Sequence, residues 1–279
     1  MKKLNFIIKY GLALLLLSFY SCESWLNVTP SDRLSEEMLF NDREGFVKAL
    51  NGVYIELNTN ELYGRNLTAG ALDVMGQYYS VASSSHAFYN YGGLVYTGND
   101  EKALFDNMWQ KCYAVIACCN TIIEKCDENK AGLSPVWKGS IKGEALALRA
   151  MLHFDMLRLF GPLTSELDKE SIPYQTNSDQ TVTPLLSGSE VIGLILDDLK
   201  NAVGLLKDTD PYFVEEEFSD TDLNYRRFRM NYFAAKGLMA RVQLWGGDKE
   251  KAAITAKEVI AEGQAEGDIC FGELSEAAW

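Results

Sequence analysis

The sequence predicts a mainly α-helical fold, built of tetratricopeptide-like helix pairs joined by long ordered loops. Three observations carry this expectation. Apolar residues recur at three- and four-residue steps in six separate segments. No comparable run of alternating β-branched residues appears. The last two helical segments are joined by only Gly246-Gly247-Asp248, so they must fold back antiparallel.

The chain begins with a leader. Lys2, Lys3 and Lys9 make its start positive, Tyr10 to Tyr20 is almost wholly apolar, and Ser21 is small. The apolar stretch is about 11 residues, whereas a bilayer-spanning helix needs about 20. The leader therefore reads as a signal peptide (1–21) that is removed. Cys22 directly after a small residue is the layout of a bacterial lipoprotein signal, in which that cysteine is acylated. More than one acyl chain makes such an anchor stable. A plain signal peptide cut nearby is the alternative. Residues 22–40 follow as a lipidated tether, with turn chemistry at Thr29-Pro30-Ser31-Asp32.

A helix pattern starts at Asn41, which with Glu44 resembles a capping box. A second helix covers about 100–127, and a third runs from Pro135 to Phe160, where Gly161-Pro162 stops it. Ser187 and Glu190 make the S-x-x-E start of a fourth. A fifth spans Phe228 to Trp245. A sixth spans Lys249 to Glu262, with Asp248 as cap and Gly263 as stop. Two stretches are not helical, 58–99 and 160–187. Loops beyond about 15 residues are usually functional or disordered, and the aromatic content of these favours order.

The protein has 279 residues, is 47% hydrophobic and carries a net charge of −13, which loss of the leader's three lysines takes to −16. Such an acidic surface argues against nucleic acid and against electrostatic adhesion to anionic lipid. Cys112, Cys119 and Cys126 fall seven apart on one helix face, so neighbours are separated by ~10.5 Å, too far for a disulfide. Their spacing also does not suit zinc, and they read as small buried hydrophobes. Cys118 and Cys270 are left open. No P-loop, H-E-x-x-H or G-x-S-x-G is present, so no catalytic residue, cofactor or metal site is expected. Asp197-Asp198 and Glu215-Glu216-Glu217 read as solvated acid.

The segment GEALALRAMLHFDMLRLFGP (143–162) resembles the SusD/RagB-like outer-membrane nutrient-binding lipoproteins. The resemblance rests on Gly143-Glu144-Ala145, Arg149-Ala150 and Arg158-Leu159-Phe160-Gly161-Pro162. It is joined by NMWQKCYAVIACCNTII before it, by IPYQT, TVTP, DDLKNAVGLL and AAKGLMARVQLW after it, and by ESWLNVTPSDRLSEEMLF behind Cys22. The likeness covers nearly all of 22–265. It implies a SusD-like helical domain over 41–279, with the carboxy-terminal region that completes the ligand face in longer members expected to be missing. It also implies a surface-exposed, lipid-anchored outer-membrane protein. Such a protein captures an oligosaccharide or other nutrient, lies over a SusC-like TonB-dependent barrel as a hinged lid, and performs no catalysis. Glu144, Arg149, Arg158, Gly161 and Pro162 are then structural. Glu144 and Arg149 are expected to form a buried pair, and Arg158 to tie down the loop after Pro162.

Val74 to Asn99 contains no Asp, Glu, Lys or Arg in a chain that is 23% charged, yet it holds six Tyr or Phe residues. Neutral sugars suit such a surface, because their C–H faces lie on aromatic rings. Tyr89, Tyr91, Tyr96 and Asn99 are the candidate ligand contacts; the competing reading is that the rings only pack the loop onto the helices. His153 reads as a satisfied core histidine, and His86 as a loop residue or sugar contact. The runner-up function is a helical-repeat scaffold for protein partners. A glycoside hydrolase would need two opposed carboxylates.

Overall fold

The computed structural model describes residues 36–179, 181–219 and 225–265. The leader, Cys22, most of the tether and Cys270 lie outside the described residues. The chain divides into two units, 1–39 and 40–279. In the first, the described residues form one helical turn, α1 (Glu36–Leu39).

The second unit opens with α2 (Arg43–Leu57), whose cap is Asp42 rather than the expected Asn41: the Asp42 carboxylate accepts from the Gly45 N–H at 2.9 Å. Either side chain can cap, but a carboxylate also meets the positive end of the helix dipole. Glu44 turns instead to Lys48, 2.8 Å away one turn on. Within the long stretch after α2 lie two short helices, α3 (Ala71–Met75) and α4 (Tyr89–Gly92). Then come α5 (Asn99–Glu128) and α6 (Pro135–Phe160). The ends of α6 are those predicted. Ser134 accepts from the Trp137 N–H at 3.3 Å, Pro135 takes the first turn where its missing N–H costs nothing, and Gly161 closes it. The second long stretch pairs β1 (Glu170–Pro173) antiparallel with β2 (Leu185–Ser187). Ser187 also caps α7 (Gly188–Thr209), with both bonds of the capping box formed.

The final pair is α8 (Tyr232–Trp245) and α9 (Lys249–Ala265). α8 begins later than the apolar pattern suggests, because Asn231 accepts from the Ala234 N–H at 2.8 Å and sets the start there. Asp248 caps α9 as expected, accepting from the Lys251 N–H at 3.0 Å. Gly263 does not stop α9 but sits buried inside it; a glycine costs a helix only about 1 kcal/mol.

α6 is the central helix of this unit, packed between α5 and α7. It is buried nearly all round, as a central helix should be. Its small residues set the closeness: a Cβ on Gly143 would stand 2.8 Å from Leu206 Cγ, and one on Gly139 2.5 Å from Thr209 Cγ2. Cys112, Cys119 and Cys126 are free and buried on α5, while Cys118 is free and exposed. Among the described residues, no helix is long and apolar enough to cross a membrane.

Candidate functional site

The charge-free stretch 74–99 packs its rings against the first turns of α5, where Phe105 in turn meets Phe160 at the end of α6. Its inner side is a ring cluster. Tyr91 is only 2% exposed and packs with Ala71 and Val74. Phe88 meets Tyr91 edge-on at 5.8 Å, Tyr91 meets Phe105 at 5.9 Å, and Tyr96 meets Phe105 at 5.4 Å. From Phe105 the rings continue through Phe160, Trp109 and Tyr113 to His153, which stacks on Tyr174 at 4.0 Å. Burial pushes the Tyr91 hydroxyl up to about 12, helped by Glu101 and Asp100, so it stays protonated.

The outer side presents Tyr78, Tyr79 and Tyr89, which are 82%, 43% and 42% exposed. His86, Asn90 and Asn99 of the same stretch are exposed as well. The backbone beneath is held in an unusual shape. Gln77 and Leu94 have φ of 60° and 55°, two of the three non-glycine residues with positive φ among those described. Such residues cost of order 1–3 kcal/mol and gather at functional sites. The Gln77 amide donates to Val74 O at 3.2 Å and Gly92 O at 2.9 Å, tying the two arms of the loop. Asn90 donates to buried Glu101 at 2.7 Å. The arrangement is a ring-bearing surface whose own residues are uncharged, with the Arg65 guanidinium 5.7 Å over the Phe88 ring at its edge.

A family model described as starch-binding and associating with the outer membrane matches residues 24–244. The chain belongs to the SusD-like family. SusD-like protein P2 of Formosa agariphila is 26% identical over 265 residues, covering 92% of this chain and 46% of that protein. A SusD-like protein of Bacteroides ovatus is 29% identical over 178 residues, covering 60% and 28%. Among solved structures, a SusD superfamily protein from Bacteroides vulgatus superposes with a TM-score of 0.65 at 21% identity, covering 83% of this chain and 49% of that one. A laminarin-binding SusD-like protein does so with a TM-score of 0.58 at 17% identity, covering 78% and 43%. These likenesses show the fold. This SusD-like chain spans less than half the length of each of these relatives.

Of the four candidate contacts, Tyr89 and Asn99 are exposed, Tyr96 is half-buried and Tyr91 lies in the ring cluster. Tyr78, Tyr79, Gln77 and Asn90 were not among them. Alternation of ring and polar residue cannot say which rings turn outward, but all four lie within the same charge-free stretch.

The structural residues of the SusD-like helix hold together differently from expectation. Glu144 and Arg149 do not pair. Glu144 Oε2 receives Arg226 at 2.5 Å, and its Oε1 receives Arg229 at 2.7 Å and Tyr54 at 2.5 Å. Burial pushes the Glu144 carboxyl up, but Arg226, Arg229 and the Tyr54 hydroxyl outweigh it and hold it below its usual value. Arg226 also forks onto buried Asp210, at 2.8 and 2.5 Å. Arg149 instead forks onto Asp198 at 2.7 Å through both Nε and Nη2. So Asp198 is not solvated acid but one end of a buried pair, with Tyr174 donating to it at 2.6 Å. Glu215 and Glu217 are exposed. Arg158 does not reach the loop after Pro162; it binds Asp155, 3.1 Å away on its own helix. Gly161 makes the exit possible, since a Cβ there would stand 2.4 Å from Leu157 O.

His153 is fully buried. Its Nε2 accepts from the Gln175 N–H at 3.0 Å, which leaves Nδ1–H to donate to Arg149 O at 3.0 Å. Burial, with the nearby Arg149 charge, lowers it to about 3. It is a neutral core histidine that pins the chain just after β1 to α6. Among the described residues, no group of His, Cys, Asp and Glu side chains is placed to hold a metal ion.

Proposed function

We propose that this chain is a carbohydrate-binding lipoprotein of the outer membrane, which holds a neutral oligosaccharide on the surface formed by 74–99 and performs no chemistry on it. The observation that carries the reading is the outward display of Tyr78, Tyr79 and Tyr89 on a strained, charge-free segment of a SusD-like chain. Sugar rings stack on exposed tyrosines, and Asn90, Asn99 and His86 offer uncharged partners for hydroxyls. Acylation of Cys22 is the proposed anchor, and a SusC-like TonB-dependent barrel the proposed partner for uptake.

Affinity electrophoresis in gels containing laminarin, starch or another neutral polysaccharide tests the reading. The wild type is expected to be retarded by at least one, and the Tyr78→Ala/Tyr89→Ala double variant to lose about tenfold or more in affinity, as stacking rings do on truncation. Equal retardation of the double variant, or no retardation of the wild type across the series, would remove the basis of the proposal. Cys22→Ser should abolish labelling by radioactive palmitate. A barrel of the TonB-dependent class should co-purify from membranes.

A further inference from the structure

The short helix α3 serves two neighbours. Ala71 and Val74 pack on Tyr91 in the ring cluster. Leu72 instead lines a separate cavity of about 200 Å³, together with Leu67, with Asp155, Arg158 and Leu159 of α6, and with Trp245 at the end of α8. At ~30 Å³ per water, that space equals roughly six or seven waters. It suits one small ring and not a longer chain.

The lining is mixed. Three leucines make it apolar on one part, and its polar groups are held from behind. Tyr63 donates to Asp155 Oδ2 at 2.6 Å. Burial and the Asp155 charge push that hydroxyl up, so it stays a donor. Arg158 Nη1 donates to Asp155 Oδ1 at 3.1 Å, and its guanidinium lies 5.6 Å over the Phe154 ring. The same buried ring meets Trp245 edge-on at 5.8 Å. Carboxylate, guanidinium and indole are thus fixed before any ligand arrives. Among the described residues, nothing takes up Arg158 Nε or Nη2, or the Trp245 indole N–H. A tryptophan N–H drawn away from water usually has a partner. The charges of Asp155 and Arg158 cancel, which favours an uncharged ligand.

We propose that this cavity binds one sugar ring through a pair of neighbouring hydroxyls. Each hydroxyl can both donate and accept, whereas a carboxylate only accepts and a guanidinium only donates. One hydroxyl donates to Asp155 Oδ1 and its neighbour accepts from Arg158 Nη2. The Trp245 N–H donates to a further oxygen of the ring, and the C–H face rests on the leucines. A free monosaccharide and the end unit of a glycan both carry this chemistry.

Titration of the full chain with D-glucose, D-galactose and D-mannose, followed by tryptophan fluorescence, tests the proposal. Tetrahydropyran, the same ring without hydroxyls, is the control. At least one hexose is expected to saturate the signal, and tetrahydropyran to leave it unchanged. Asp155→Asn keeps the shape and leaves an oxygen for Tyr63. It should weaken the hexose about tenfold, as loss of a charged acceptor does. Leu72→Phe fills the cavity from its apolar part, leaves the polar groups in place and should abolish the response. The trisaccharide of the hexose that binds distinguishes the sources: an affinity that drops equally in Asp155→Asn places a chain end in the cavity, and an unchanged one restricts the cavity to the free sugar. The proposal is overturned if no hexose saturates, if tetrahydropyran matches the hexose, or if either folded variant responds like the wild type. The Tyr78→Ala/Tyr89→Ala variant should keep the hexose response, so this site and the surface at 74–99 stand or fall separately.

Discussion

The frame around α6 and the stretch 74–99 are held by opposite means. Along the middle of α6, buried charges lock helices together: Glu144 joins it to Arg226 and Arg229, and Arg149 joins it to Asp198 on α7. Over 74–99 the structure rests on ring contacts, one amide tie at Gln77 and a backbone in unfavourable φ. Buried ion pairs are unforgiving, because removing one partner strands the other. Rings tolerate neighbours of many shapes and leave their outer members free. A frame that must not move and a surface that must meet a ligand thus draw on different chemistry within one unit.

The sharpest way to break this comparison is Glu144→Ala, which takes the carboxylate from Arg229 and the Tyr54 hydroxyl and leaves Arg226 with Asp210 alone. It should cost about 4 kcal/mol of unfolding free energy, read by urea denaturation. A loss below about 1 kcal/mol would mean that the charges are not the lock. Next comes Tyr91→Ala, which empties the centre of the ring cluster and should cost about 3 kcal/mol. Tyr89→Ala, two residues away but facing out, should change stability by less than about 0.5 kcal/mol. Equal effects would erase the distinction between inner and outer rings.

Acid should loosen the frame before the loop. His153 is near 6.5 when unfolded and about 3 when folded, so between those values only the unfolded chain takes the proton. Its contribution is fully present above pH 6.5 and is lost as pH falls toward 3. From pH 6.5 to 4.5 the expected loss is about 2–3 kcal/mol. Glu144, depressed in the fold, acts in the same direction, but only as pH drops below its ordinary range and through its folded value. His153→Gln should flatten the slope between pH 6.5 and 4.5, and an unchanged slope would place the sensitivity elsewhere. The smallest expected effect is Leu94→Gly. The left-handed backbone costs a side chain ~1–2 kcal/mol, and glycine's larger freedom when unfolded takes back ~0.5–1. A gain of about 0.5–1 kcal/mol by thermal melting is expected; a loss would show that Leu94 is not strained.

Local signals in the sequence were read correctly where the cause is local. Pro135 and Gly161-Pro162 bound α6, Ser187 with Glu190 starts α7, and the seven-residue cysteine spacing puts three thiols inside, because each needs only its own helix. The partners of buried charges were not legible. Glu144 finds Arg226 and Arg229 across more than eighty residues, and Arg149 finds Asp198 across nearly fifty, so proximity in the chain suggested the wrong pair. The same limit governs the candidate site. Missing charge marked 74–99 as unusual, but whether Tyr89 or Tyr91 faces out depends on where α4 rests on Ala71 and Val74.

The three thiols on the inner face of α5 have one more consequence. Burial pushes Cys112, Cys119 and Cys126 up, the last to about 12, so almost no thiolate exists while the helices stay closed. An alkylating reagent reaches them only when α5 and α6 part. Their rate of labelling is therefore a clock built into the protein, which ticks once for each breath of its interior.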